Sequence, residues 1–151
     1  MELYRITLAK WAGDLVASGR AARWNSTGVR VIYTASHRSL ACLENIVHHN
    51  EVSLLAAFRI MVIYVPDQIF CDTLKIPELH EGWSASDPAA YDLCRPFGDR
   101  WAASLSSLLL RVPSALIKGE NNVLINPLHP EFRFVSLLES EPFLFDPRIK
   151  S

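Results

Sequence analysis

The apolar positions of the chain fall into short segments, some alternating with polar residues and one almost continuous. Short apolar runs that are rich in β-branched residues and bounded by turn formers are typical of β-strands. The predicted strands cover residues 3–8, 29–35, 59–65, 108–112, 122–126, 132–137 and 142–145. In the second of these strands, alternation places Tyr33 and Ala35 on one face and Thr34 on the other.

Three other segments carry helical signals. The predicted helices cover residues 11–18, residues 36 or 39 to 49, and residues 99–107. Gly19 is a stop signal for the first helix, and Ser36 or Ser39 is the expected N-cap of the second. At about 100° per residue, Glu44 lies about 40° from Leu40, on the margin of the apolar stripe of the second helix. We therefore expect the Glu44 carboxylate to be half buried.

The order of the elements indicates the fold class. Strands outnumber helices and the two alternate irregularly, which predicts an α+β fold with a mixed or antiparallel sheet rather than a doubly wound parallel one. Residues 66–97 hold four prolines and many turn formers and are predicted to be mainly loop. The 151 residues correspond to a single domain over residues 1–151, large enough to form a core without disulfide bonds.

Composition narrows the possible functions. Half of the residues are hydrophobic and 21% are charged, which excludes an intrinsically disordered chain. Fifteen Lys and Arg stand against 16 Asp and Glu, which gives a formal charge of -1. The chain therefore lacks the excess of basic residues that is typical of nucleic-acid-binding proteins. The longest apolar run, residues 60–66, is far shorter than the roughly 20 residues of a membrane span.

Cysteine usage and the start of the chain bear on its compartment. Cys42, Cys71 and Cys94 are widely spaced with no Cys-x-x-Cys, which favours a reducing compartment over a disulfide framework. The first residues show no signal peptide, so we expect a cytoplasmic protein that does not associate with membranes. His48 and His49 are adjacent on a predicted helix and point about 100° apart, so no metal site is predicted.

Four short strings hold candidate chemistry: Tyr4-Arg5-Ile6, Arg23-Trp24-Asn25 with Gly28, Tyr33-Thr34-Ala35 followed by Glu44, and Val112-Pro113-Ser114. Each string also has a purely structural interpretation. Either arginine could lie on the surface, and Tyr33 could be a core aromatic residue. Glu44 could pair with His48 one turn along the helix, and Ser114 could be an ordinary turn residue after a proline.

Taken in order, the four strings resemble the RES domain family, toxins of bacterial toxin–antitoxin pairs whose usual partner is an Xre-type antitoxin. The resemblance extends through residues 120–125 and into Asn126-Pro127-Leu128-His129-Pro130. One departure is that Ala21 and Ala22 stand where the family often has glycines, and alanine disfavours positive φ. Apart from this departure, the resemblance spans nearly the whole chain.

The resemblance implies an ADP-ribosyltransferase-like split β-core flanked by helices, with NAD as the substrate and no metal. Family members break the nicotinamide–ribose bond, some by hydrolysis or by phosphorolysis with inorganic phosphate, and some by transfer of ADP-ribose to a protein. It also implies that the toxin depletes cellular NAD and arrests growth, and that an antitoxin neutralises it. Two alternatives stay open: an NAD-dependent transferase that modifies a host protein, and a non-catalytic binding module of the same fold.

The chemistry of the candidate residues agrees with NAD as substrate. Arg5 and Arg23 are suited to its two phosphates, because a guanidinium offers paired, charge-assisted donors. A fixed carboxylate such as Glu44 stabilises the positive charge that develops on the ribose carbon as the glycosidic bond breaks. Tyr33 would stack on nicotinamide or bind the ribose, and Ser114 would orient that ribose. The resemblance adds Asn126 to the NAD-binding residues.

Overall fold

The computed structural model describes residues 1–150 of the chain. Two α-helices are present in these residues, α1 over Arg38–Ile46 and α2 over Pro88–Ser104. The strands are β1 Glu2–Leu8, β2 Ile32–Ala35, β3 Phe58–Tyr64, β4 Cys71–Thr73, β5 Leu109–Pro113, β6 Asn121–Ile125 and β7 Ser136–Phe143. They form one sheet in the order β4-β5-β6-β2-β1-β3-β7. Only β4 and β5 pair in parallel, so the predicted α+β fold with a mixed sheet flanked by helices is confirmed.

Both helices pack on the same face of the sheet. The apolar stripe of α1 packs with Ile6, Ala35 and Ile60, whereas Cys94 and Trp101 of α2 pack with the β5–β6 half of the same face. The opposite face carries the largest single core cluster and is covered by loops and short 3-10 turns. Its buried strand residues are Leu3, Ile32, Met61, Ile63, Leu109, Val123 and Ile125. The two helices thus leave a gap between them over the middle of the sheet.

The centre of the sheet is weakly paired. Strand β1 pairs with β3 along its whole length, from Glu2 to Leu8. With β2 it shares the single register pair Tyr4 and Ala35. The sheet is therefore loosely joined between β1 and β2, beneath the gap that the two helices leave.

The predicted helix over residues 11–18 is wrong. A single 3-10 turn, Ala9–Trp11, is present there instead. Ala12, Leu15 and Ala17 pack against the loop-covered face of the sheet as irregular chain. Burial of these residues against the sheet outweighs the local helical signal.

The second predicted helix is shorter than expected, because α1 begins at Arg38 and ends at Ile46. Neither Ser36 nor Ser39 caps it, and its N-cap position is His37. The Ser36 hydroxyl donates instead to the Asn121 carbonyl oxygen at 3.1 Å. The Ser36 hydroxyl therefore makes a tertiary hydrogen bond instead of capping α1.

Helix α2 contradicts two predictions. It begins at Pro88, inside the segment predicted to be loop, and it ends at Ser104 rather than at residue 107. Asp87 is its N-cap and accepts a hydrogen bond from the Ala90 amide at 2.9 Å. Proline fits the first turn of a helix, so Pro88 marks a helix start rather than a loop. Leu105 follows the helix with a left-handed φ of 53°.

Three strand predictions also differ from the structure. Strand β2 begins only at Ile32, because residues 26–29 form a turn closed by the Val29 amide and the Ser26 carbonyl. The predicted strand over residues 132–137 begins as the 3-10 turn Pro130–Phe134. Strand β7 then runs unbroken through the predicted gap before residue 142. The short edge strand β4 was not predicted at all.

Two features are absent from residues 1–150: a membrane-spanning helix and, apart from one leucine, positive φ at residues other than glycine. No helix within the described part of the chain is long and apolar enough to cross a membrane. Leu105 is the only residue other than glycine with positive φ in residues 1–150. Ala21 and Ala22 therefore adopt ordinary backbone conformations in the loop before Arg23.

Candidate active site

A cleft of about 620 Å³ lies between α1, the β1–β2 junction and the loop that precedes α2. Its walls carry charged, aromatic and hydroxyl side chains as well as apolar ones. The polar and aromatic residues that line it are Tyr4, Arg5, Arg23, Tyr33, Thr34, Glu44, Asn45, His48, His49, Ser84, Ser86, Tyr91 and Asn122. Four of the six predicted site residues, Arg5, Arg23, Tyr33 and Glu44, line this one cleft.

Glu44 projects from α1 into the cleft, and its two carboxylate oxygens have different surroundings. Oε1 accepts hydrogen bonds from the Ser114 hydroxyl at 2.7 Å and from the Asn122 amide at 2.9 Å. Oε2 makes no hydrogen bond to any residue in 1–150. No ion pair in that range joins Glu44 to His48 either, so the alternative of a purely structural pair has no support. The carboxylate is thus fixed through one oxygen and leaves the other available.

Ser114 lies behind Glu44 rather than on the wall of the cleft. The residue is only 6% exposed. Its hydroxyl donates to Glu44 and accepts hydrogen bonds from the amides of Leu116 and Ile117, at 3.1 and 3.0 Å. The structure therefore gives no direct path from this hydroxyl to a ribose, and Ser114 acts on the cleft through Glu44.

Arg23 reaches across the mouth of the cleft to the loop before α2. Its guanidinium donates to the carbonyl oxygens of Trp83 at 2.5 Å and Ala85 at 3.0 Å. It also stacks over the Tyr91 ring, 4.3 Å from the ring centroid. A guanidinium has five N–H donors, so three remain for a ligand. No carboxylate within the described chain forms an ion pair with Arg23.

Tyr33 presents its ring to the cleft but not its hydroxyl. The hydroxyl donates to Asn25 Oδ1 at 2.6 Å and accepts from the Trp24 amide at 3.0 Å. Burial raises the pKa of the Tyr33 phenol well above its ordinary value. The single proton of the hydroxyl is therefore committed to the Arg23 loop, and the ring face is the part of Tyr33 that a ligand meets.

Arg5 lines the cleft from β1. Its guanidinium donates to the Val16 carbonyl at 3.0 Å, and burial lowers its pKa from the ordinary arginine value. Across residues 1–150, no acidic side chain forms an ion pair with Arg5. A half-buried cation without an acidic partner favours an anionic ligand nearby.

Asn126, the sixth predicted site residue, lies outside the cleft. It is 1% exposed. Its amide donates to the Ala102 carbonyl at 3.0 Å and its side-chain oxygen accepts from the Leu128 amide, also at 3.0 Å. These contacts join the end of β6 to α2 and to the following turn. Asn126 therefore stabilises the framework and does not line the cleft.

The chain is similar to known proteins in both sequence and fold. A family model described as the RES domain matches residues 2–146. A Yersinia enterocolitica protein named Toxin Res is 38% identical over 156 residues, which covers 99% of this chain and all of the relative. A Sphingobium protein named Prs ADP-ribosylating toxin is 37% identical over 143 residues, covering 91% of this chain and 88% of the relative.

The chain belongs to the RES domain family. Its fold also resembles a chain in the crystal structure of the M. tuberculosis MbcT–MbcA toxin–antitoxin complex. The TM-score is 0.76 with 20% identity, over 98% of this chain and 85% of the other.

Membership in the RES family agrees with the strings that first indicated it. The first three strings, which contain Arg5, Arg23, and Tyr33 with Glu44, all reach the cleft, although they come from two strands, a loop and a helix. The fourth string reaches it indirectly, through the hydrogen bond from Ser114 to Glu44. The strings, which are far apart along this RES domain, therefore lie close together in space.

Sequence reasoning missed two amide side chains in the cleft. Asn122 donates a hydrogen bond to Glu44. Residues 120–125 belong to the family resemblance, but the sequence indicates no role for Asn122. Asn45 donates to the Ile6 carbonyl at 2.8 Å, while its Oδ1 is buried and has no partner within the described residues. Strand alternation placed Asn122 on the same face as Leu124, but only the packing of α1 brings it to Glu44.

In the described part of the chain, no three His, Cys, Asp or Glu side chains are grouped so that they could hold a metal ion. His48 and His49 both line the cleft near the end of α1, as neighbours rather than as a chelating pair.

Proposed function

We propose that this RES domain is a toxin that cleaves the nicotinamide–ribose bond of NAD, by hydrolysis or phosphorolysis, and so depletes cellular NAD and arrests growth. The observation that carries the proposal is Glu44, fixed through Oε1 with Oε2 free, in a cleft that also holds Arg5 and Arg23 without acidic partners. One anionic and two cationic groups face a shared space of about 620 Å³, which is of the size that small-molecule sites occupy.

The two arginines are suited to the pyrophosphate of NAD. Phosphate oxygens accept paired, charge-assisted hydrogen bonds from guanidinium groups. Arg23 keeps three free N–H donors, and Arg5 is a half-buried cation whose pKa is lowered by burial. Together the two guanidinium groups supply the donors that the pyrophosphate of a dinucleotide needs.

Glu44 would act on the reacting carbon. When the bond between the ribose carbon and the nicotinamide nitrogen breaks, its electron pair leaves with nicotinamide and the ribose carbon becomes positively charged. A preorganised carboxylate stabilises that charge more than it stabilises the ground state. In hydrolysis a water oxygen then bonds to the carbon and its proton goes to solvent, whereas in phosphorolysis an anionic phosphate oxygen bonds to the carbon directly. Tyr33 would contribute its ring face to the nicotinamide or the sugar.

An antitoxin partner is part of the proposal. An enzyme that consumes NAD harms the cell that makes it, so a neutralising protein is expected. Support comes from relatives named as toxins and from a solved fold neighbour that forms a toxin–antitoxin complex. We expect the partner to be an Xre-type antitoxin in the cytoplasm. No further partner, membrane or nucleic acid is required by the chemistry.

Transfer of ADP-ribose to a host protein is the second candidate function. It uses the same bond cleavage with a protein nucleophile as acceptor. The observation in its favour is the relative named Prs ADP-ribosylating toxin, 37% identical over 91% of this chain. A non-catalytic binding module is the remaining alternative.

The test is a nicotinamide-release assay on purified protein with NAD. Reactions with buffer alone, with inorganic phosphate, and with a bacterial protein extract are followed by chromatography of nicotinamide and the ADP-ribose product. Release without added protein supports NAD degradation, and a phosphorylated product in the phosphate arm identifies phosphorolysis. Release only in the extract, with label from NAD retained on protein, favours transfer. An absence of release in every arm overturns the enzymatic proposal and leaves the binding module.

A further inference from the structure

Asn122 occupies a position where its backbone is held from both sides. Strand β6 lies inside the sheet, and Asn122 pairs with Ala35 of β2 and with Val112 of β5. Its side chain is half buried, lines the cleft and donates to Glu44 Oε1 at 2.9 Å. A donor fixed by two neighbouring strands is more rigid than one on a loop.

Three separate elements converge on a single carboxylate oxygen. Glu44 comes from α1, Asn122 from β6, and Ser114 from the loop after β5. Ser114 is itself held by the amides of Leu116 and Ile117. Both donors use Oε1, so the carboxylate plane is fixed and Oε2 faces the cleft without competition from the protein.

We propose that Asn122 is a positioning residue, which together with Ser114 fixes the Glu44 carboxylate so that its free oxygen faces the ribose carbon of the bound substrate. This inference rests on the proposed function and adds to it a residue that acts through Glu44. Preorganisation of this kind acts on the transition state, since the carboxylate needs no reorientation as charge develops. Asn122 should therefore influence turnover rather than affinity.

The experiment compares Asn122→Ala with Asn121→Ala. Asn121 is the adjacent residue, of the same type and also half buried, and strand alternation turns its side chain to the opposite face of the sheet. For Asn122→Ala we expect kcat for nicotinamide release to fall about 10-fold to 100-fold, the size that corresponds to one hydrogen bond to a charged group. The affinity for ADP-ribose in a calorimetric titration should stay unchanged. Asn121→Ala should keep wild-type kcat.

A double variant shows whether the two donors act on one group. If Ser114 and Asn122 fix the same oxygen, the loss of kcat in the Ser114→Ala, Asn122→Ala protein should be smaller than the product of the two single losses. Once one hydrogen bond is removed the carboxylate is already mobile, so removal of the second hydrogen bond causes a smaller additional loss of kcat. Multiplicative losses would mean that the two residues act independently, and this would overturn the proposal.

A readout without turnover separates this inference from the proposed function. The carbon-13 resonance of the Glu44 carboxylate should shift in Asn122→Ala and stay in place in Asn121→Ala. Wild-type kcat in Asn122→Ala, from a protein that does release nicotinamide, overturns the positioning role alone. A weaker affinity for ADP-ribose with unchanged kcat also overturns it, because Asn122 would then bind ligand directly. A shifted resonance in a protein that never releases nicotinamide overturns the proposed function, and with it the catalytic meaning of the contact.

Discussion

The Glu44 carboxylate joins the fold and the proposed chemistry in one side chain. Its Oε1 is a structural acceptor for Ser114 and Asn122, and its Oε2 faces the cleft without a partner among residues 1–150. A glutamine at this position can keep its amide oxygen on the two donors, so the fold should be retained. The substitution removes the negative charge, and it replaces the free acceptor Oε2 with a neutral N–H donor.

We therefore expect Glu44→Gln to fold normally and to lose nicotinamide release. Removal of one preorganised electrostatic group typically lowers the rate by about 10²–10³, or about 2.7–4 kcal/mol in the barrier. Nicotinamide release and the melting temperature, measured on the same preparation, check this. A Glu44→Gln protein with wild-type turnover would exclude Glu44 from catalysis.

Arg23 carries a second residue-scale prediction. Arg23→Lys keeps the positive charge but loses the planar fork, and a single ammonium cannot reproduce both the loop contacts and paired phosphate hydrogen bonds. We expect weaker binding of ADP-ribose by calorimetry with an unchanged circular dichroism spectrum. Arg20→Lys, in the same loop but outside the cleft lining, is the matched control and should bind normally. Equal affinities in the two variants would remove Arg23 from the binding role.

At the scale of elements, α2 anchors the loop that carries Arg23. Asp99 accepts hydrogen bonds from the amide and hydroxyl of Ser26, and Arg95 donates to the Ala22 carbonyl at 2.9 Å. Gly98 is the point of closest approach. A Cβ atom at this position would lie 1.7 Å from the Trp24 carbonyl oxygen. The helix can come this near to the Arg23 loop only because residue 98 has no side chain.

Gly98→Ala should consequently destabilise the protein, although alanine is the better helix former. The carbonyl that it meets is backbone and cannot rotate away, so we expect a loss of about 1–3 kcal/mol, the usual cost of overpacking. Chemical denaturation measures this loss, and ADP-ribose affinity should fall with it because the Arg23 loop is displaced. Ala103→Gly, at an exposed position of the same helix, should cost only about 1 kcal/mol and leave affinity intact. An increase in stability in Gly98→Ala would contradict the close packing.

At the scale of the whole molecule, two helices and a loosely joined sheet border the cleft, while the other face of the sheet carries the largest single core cluster. The cleft and this cluster thus lie on different faces. Residues that line the cleft can change without loss of the core formed by Leu3, Ile32, Ile63, Val123 and their neighbours. This separation makes a folded but inactive variant possible, which a test in cells requires.

Expression of the wild-type chain alone in bacteria should arrest growth and lower cellular NAD. The Glu44→Gln variant, expressed to the same soluble level, should permit growth with a normal NAD pool. The reason is that the two proteins share a fold and differ in the one group that faces the reacting carbon. Cell density and extracted NAD over time provide the measurement. Growth of the wild-type strain with an unchanged NAD pool would argue against the toxin function.

The sequence by itself determined the fold class, most of the strands and four of the residues that line the cleft. Strands β1, β3, β5 and β6 were predicted to within two residues at either end, because their apolar runs are buried and carry a strong local signal. The half-buried position of Glu44 also followed from helical periodicity, since the angle around a helix depends only on spacing.

The tertiary structure alone decided how those residues are used. Ser36 was an apparent helix cap but binds Asn121, and Pro88 was an apparent loop signal but begins α2. Ser114 lies behind Glu44 and Asn126 lies outside the cleft, because hydrogen bonds to distant segments hold them there. Strand alternation indicates the face of Asn122 but not its contact with Glu44, and Gly98 had no local signal. Their roles arise from contacts between residues far apart in the chain, which periodicity and local propensity do not encode.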